Sequence, residues 1–172
     1  MPAKPLVEPL NPVAWIVAPA AAAALVSLAL ATPLDFFGLR LPEPAVGMVC
    51  AFAWAVIRPS MLAPFALVAL GLFEDLLWGT PLGLWPVALL AAYGATLAVR
   101  SAAAGEGFWA RWAWYAGACA IGFAAAFLFR SGAAGAPVNL VAIGLQAVPT
   151  LLLFWFANRL IERFEDADVR FR

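Results

Sequence analysis

Six stretches of this 172-residue chain run 13 or more positions without a charged side chain, and no other sequence feature restricts its folding as strongly. Their apolar cores are residues 13–31, 45–57, 61–73, 82–99, 112–129 and 138–157. Hydrophobic residues make up 66% of the chain and charged ones 12%, against roughly 45–50% and 25% in soluble domains. Six helical crossings of about 20 residues use about 120 positions. The chain therefore reads as all-α and polytopic, one transmembrane domain over residues 1–172 with short cytoplasmic N- and C-tails.

The same composition excludes several classes of function. Ten basic residues balance ten acidic ones, Lys4 is the single lysine, and no basic run supplies the electrostatic footprint that nucleic acid requires. Histidine, the commonest metal ligand and general base, is absent. Cys50 and Cys119 each stand alone in apolar surroundings, so neither a metal site nor a disulfide framework is expected, and no cofactor.

The crossings are unequal. The second is bracketed by Pro44 and Arg58 and reaches only about 20 Å at 1.5 Å per residue. The third reaches a spanning length only by continuing through Glu74 and Asp75 to Trp78, which puts two carboxyl groups in its last turn. Direction follows from the basic residues. With six crossings, Lys4, Arg58, Arg100, Arg111, Arg159, Arg163, Arg170 and Arg172 share one side, and only Arg40 and Arg130 fall on the other. The positive-inside rule then puts both termini in the cytoplasm. Trp15, Trp54, Trp109, Trp112, Trp114 and Trp155 are expected at the inner interface, with Trp78 and Trp85 flanking an outer loop at Gly79–Pro81. Ala29-Leu30-Ala31 looks like a signal-peptide cleavage site, but the run before it is long for such a segment and Glu8 offsets Lys4.

Polar residues within the crossings are few: Ser27, Thr96, Asn139, Gln146 and Thr150. Interhelical hydrogen bonds, worth about 0.6 kcal/mol each in a membrane, account for them. Pro149 is expected to free a carbonyl near Leu145 and kink the last helix, with Gln146 at hand to satisfy it. Ala118, Gly122 and Ala126 recur every fourth residue, the small-residue spacing that lets helices approach closely in lipid.

The densest pattern is Gly71-Leu-Phe-Glu-Asp75-Leu-Leu-Trp-Gly79-Thr-Pro81-Leu-Gly83. Gly71, Asp75 and Gly79 are four apart and share a helix face, where the two glycines admit a neighbouring helix close to Asp75. Thr80-Pro81 ends the helix, and Gly83 suits a positive φ in the outer turn. Two readings of Asp75 stand side by side: a helix-end carboxyl held by Arg40 or Arg130, or a group that orders the outer turn for a partner or ligand. Glu74, its neighbour, faces another direction, so the two do not make an acid–base pair.

At Gly71, Asp75, Gly79, Leu82 and Gly83 the sequence resembles the rod-shape-determining MreD family of bacterial inner-membrane proteins. The likeness extends back through Pro42 or Pro44, Trp54 and Arg58-Pro59 and forward to Tyr93, and Gln146 followed by Pro149 suits the family's last helix. The proline-rich N-tail and the acidic tail of Glu162, Glu165, Asp166 and Asp168 depart from it. The resemblance implies a six-helix bundle similar to the S components of energy-coupling-factor transporters, but with a non-enzymatic role. It implies direct binding of MreC, within a complex that includes RodA, the elongation penicillin-binding protein and MreB, alongside membrane lipid, in lateral peptidoglycan synthesis and cell shape. The alternative implied by the same bundle is the substrate-binding membrane subunit of a vitamin-type transporter. That role needs a cavity with several converging polar groups, and the sequence offers few.

Overall fold

The structure is a computed structural model that describes residues 12–31, 35–36, 39–40, 42–103, 107–134 and 140–169. Its helices are α1 (Pro12–Leu30), α2 (Gly47–Ile57), α3 (Leu62–Trp78), α4 (Leu84–Ala103), α5 (Phe108–Ala134), α6 (Leu140–Leu152) and α7 (Phe154–Val169). Between α1 and α2, β1 (Asp35–Phe36) and β2 (Leu39–Arg40) form a two-residue antiparallel ladder. The bundle is otherwise all-helical among the described residues, and α6 and α7 are one rod interrupted at Leu153, which leaves six rods.

Three segments are long and apolar enough to cross a membrane: Leu84–Ser101, Phe108–Gly132 and Ile143–Glu162. Trp15–Leu30 and Gly47–Ile57 are apolar but shorter. Large apolar side chains point outward around the bundle, among them Phe65, Leu76, Leu128 and Leu152, each more than two-thirds exposed. Large exposed apolar side chains on this scale suit contact with lipid. Length and composition together mark a membrane protein.

The packing is organised around the shortest apolar helix. Every residue of α2 from Gly47 to Val56 is buried, as expected of a helix that is hydrophobic on all sides. It packs against α4 and α7 and also against α1, α3 and α5. The tryptophan assignment is corrected here. Trp54 is fully buried on α2, and Trp15 and Trp85 are also core residues, so these three serve packing and not an interfacial belt. Trp109, Trp112 and Trp155 are exposed.

The stripe on α5 faces inward. Ala118 and Ala126 are buried, and a Cβ on Gly122 would lie 2.6 Å from Met48 Cε and 3.0 Å from the Ala88 carbonyl oxygen. Gly122→Val is therefore expected to cost about 1–3 kcal/mol through overpacking. Gly117→Ala, where nothing lies within 4 Å of the added atom, should be neutral or gain up to about 1 kcal/mol of helix propensity. Thermal midpoints of the two detergent-purified variants read the difference.

Candidate functional site

An α-helix leaves its first four N–H groups without intrahelical acceptors, and residues such as Ser, Thr, Asp and Asn usually supply one locally. Neither α2 nor α4 begins with such a residue. Val46 precedes α2 and makes no side-chain cap, and α4 opens on Gly83-Leu84-Trp85-Pro86. Both helices borrow their caps from the last turn of α3.

Asp75, 1% exposed, caps α4. Its Oδ2 accepts the Gly83 N–H at 2.7 Å, and its Oδ1 accepts the Trp85 N–H at 3.1 Å and the Thr80 hydroxyl at 2.7 Å. Its backbone carbonyl accepts the N–H groups of Gly79 and Thr80 and closes the end of α3. Gly79 makes that closure possible with φ 64°, and Gly83 turns the chain into α4 with φ 96°, both in the region that glycine occupies at little steric cost. One residue thus fixes the outer turn through its side chain and its main chain. Among the described residues these three donors hold the carboxyl group; Arg130 is exposed on α5, and the side chain of Arg40 lies outside the described residues.

Glu74 turns the other way, as neighbouring helical positions must. Its Oε1 accepts the Gly47 N–H at 3.1 Å and the Ser27 hydroxyl at 3.4 Å, which ties α1 and the N-terminus of α2 to α3. At the opposite end of α2, Arg100 Nε donates to the Val56 carbonyl at 3.3 Å. The N-terminus of α2 thus takes an acceptor from α3 and its C-terminus a guanidinium donor from α4, so each end is satisfied by a different neighbouring helix.

The last rod completes the support of α2. Thr150 Oγ1 accepts the Ala45 N–H at 3.0 Å and donates to the Gln146 carbonyl at 2.8 Å, while Gln146 Nε2 donates to the Glu43 carbonyl at 3.0 Å. Tyr115 on α5 donates its hydroxyl to the Thr150 carbonyl at 2.9 Å. Two expectations are corrected here. Gln146 reaches the segment before α2 and not a carbonyl freed in its own helix, and the rod breaks after Pro149, at Leu153. The Thr150 carbonyl there takes the Leu153 N–H at 3.1 Å as well as Tyr115, so the last turn of α6 tightens instead of continuing.

Of the residues singled out from sequence, Gly71, Asp75, Gly79, Pro81 and Gly83 converge on the α3–α4 turn. Gly71 permits close approach, since a Cβ there would fall 2.4 Å from Pro86 N. Gly79 has open space around its Cα, so its contribution is backbone angle and not helix approach. Pro81 and Leu82 are exposed at the tip. Gln146 joins the α2 support, whereas Ala118, Gly122 and Ala126 belong to the packing of α5. Asn139 lies outside the described residues. Sequence reasoning missed Glu74, Arg100 and Tyr115 as supports of α2. The available signal was an apolar helix without a capping residue of its own, beside a carboxyl group with no assigned partner.

Among the described residues no three His, Cys, Asp or Glu side chains gather in one place; Asp75 and the Oε1 of Glu74 hold helix ends, while Glu74 Oε2 is buried without a hydrogen-bond partner among the described residues. The chain matches no protein-family model, no curated protein and no solved structure.

Proposed function

We propose that the chain is a non-enzymatic scaffold of the bacterial inner membrane, related to the rod-shape-determining MreD proteins, that binds MreC and helps organise lateral peptidoglycan synthesis. In this reading it crosses the membrane six times with both termini in the cytoplasm. MreB, RodA and the elongation penicillin-binding protein belong to the same assembly. The observation that carries the proposal is the α3–α4 turn. Gly71, Asp75, Gly79 and Gly83, the residues on which the family likeness rests, build one interlocked unit there. That unit holds Pro81 and Leu82 outward on a fixed backbone. A preorganised apolar tip suits recognition of a partner, because little conformational freedom is lost on binding. The use of the polar side chains as helix caps also supports a binding role over chemistry.

Affinity recovery of the tagged chain from its native membrane, with identification of the co-purifying proteins, tests this. MreC is the expected partner. An ATPase together with a coupling membrane subunit would instead indicate a transporter component.

A further inference from the structure

Glu74 is 0% exposed, and its two oxygens are used unequally. Oε1 accepts both the Gly47 N–H, at 3.1 Å, and the Ser27 hydroxyl, at 3.4 Å. Oε2 is buried and meets no hydrogen-bond partner among the described residues. Asp75, the next residue, shows the opposite pattern: Oδ1 and Oδ2 both accept, and three donors share them. A carboxylate has two equivalent oxygens that accept, whereas a carboxylic acid has one carbonyl oxygen that accepts and one hydroxyl. The bonding at Asp75 is that of the first form, and the bonding at Glu74 is that of the second.

We infer that Glu74 is a proton-binding site: a neutral carboxylic acid inside the bundle, with its proton on Oε2, beside an ionised Asp75. The surrounding charge agrees. α3 packs against α4, α1 and α2. Neither α1 nor α2 carries a charged residue, and the one charged side chain of α4, Arg100, is bound to the Val56 carbonyl at the other end of α2. The ionisable neighbours of Glu74 among the described residues are Asp75 and Cys50, and neither is a cation. A buried carboxylate that lacks a cation and a full set of donors neutralises instead, and an unpaired neutral oxygen costs less than an unpaired anionic one. Water has little room on the Gly47 side, where an added Cβ would lie 2.8 Å from Leu89 Cδ1 and 3.2 Å from Glu74 Oε1. The neutral acid still accepts through its carbonyl oxygen, so it ties α1 and the N-terminus of α2 to α3 without placing charge among apolar helices. This holds whichever partner the α3–α4 turn meets.

Infrared spectroscopy of the detergent-purified full chain at neutral pH reads the proton directly, because the carbonyl stretch of a protonated carboxyl group is separate from the carboxylate bands. Wild type should show the protonated band, and Glu74→Gln should lose it. Thermal midpoints give a second reading. Glu74→Gln offers the same acceptor oxygen to Gly47 and Ser27 and places an NH2 group where the acid has its O–H, so it should melt with wild type. Glu74→Ala removes the acceptor and should melt several degrees lower. A wild-type spectrum without the protonated band, a band that survives Glu74→Gln, or a Glu74→Gln midpoint as low as that of Glu74→Ala overturns the proposal.

Discussion

Asp75→Ala is expected to destabilise the bundle by about 3–5 kcal/mol, because hydrogen bonds to a carboxylate contribute about 1.5–3 kcal/mol each and their buried donors are left unpaired. Three donors converge on this side chain from Thr80, Gly83 and Trp85, and two are backbone N–H groups at the start of α4 that have no local substitute. Water cannot readily repair them, since Trp85 is 3% exposed and lies edge-on to Trp78 at 5.0 Å and to Phe123 at 6.2 Å. The detergent-purified variant should melt about 10 °C or more below wild type. Thr80→Val removes only one of the three bonds and should cost about 1 kcal/mol. Equal midpoints for Asp75→Ala and Thr80→Val would show that the carboxyl group does not cap α4.

Gly71→Ala should do comparable damage through sterics alone. The added Cβ would lie 2.4 Å from Pro86 N and 2.8 Å from both Pro86 Cα and Pro86 Cδ, distances at which something must move. The obstacle is backbone, and Asp75 pins that backbone on the preceding residue at Trp85 N–H. Relaxation therefore strains the cap and the helix contact together, which puts the cost at or above the upper end of the usual 1–3 kcal/mol for overpacking. The close approach depends on both partners: glycine removes a Cβ from α3, and Pro86 removes an N–H from the first turn of α4, where that donor has no intrahelical acceptor. Gly94→Ala on α4, with nothing within 4 Å of the new atom, is the matched control and should not lower the midpoint. A Gly71→Ala protein as stable as this control would mean that α3 and α4 do not pack as closely as described.

Much of this arrangement was legible in the sequence because charge and glycine are scarce enough to be informative. The charge-free runs mark the helical rods, Pro44 and Arg58 bracket a short second helix, and the extension of α3 through Glu74 and Asp75 to Trp78 follows from its length. Gly83 with positive φ was readable from the turn. What was not legible is tertiary. An apolar run such as residues 45–57 shows that α2 is hydrophobic on every side, but not that other helices enclose it, which is why Trp54 resembles an interfacial residue in sequence and is core in the fold. Caps supplied in trans leave no local motif either. Glu74 is 27 residues from Gly47, and Thr150 is 105 from Ala45. Pro149 announces a disturbance in the last helix, yet the interruption falls at Leu153, where the Thr150 carbonyl also accepts the hydroxyl of Tyr115, a residue 35 positions away in sequence.

In the proposed function, Asp75 holds the α3–α4 turn in place so that its apolar tip meets MreC. The most direct test places a photo-crosslinking residue at Leu82, 64% exposed on that turn, in the full chain in its native membrane. The account predicts a covalent adduct with MreC that is lost or strongly reduced when Asp75→Ala is added at equal membrane abundance. Adducts at Leu82 that contain only lipid or a transporter coupling subunit, or an MreC adduct unaffected by Asp75→Ala, would contradict it.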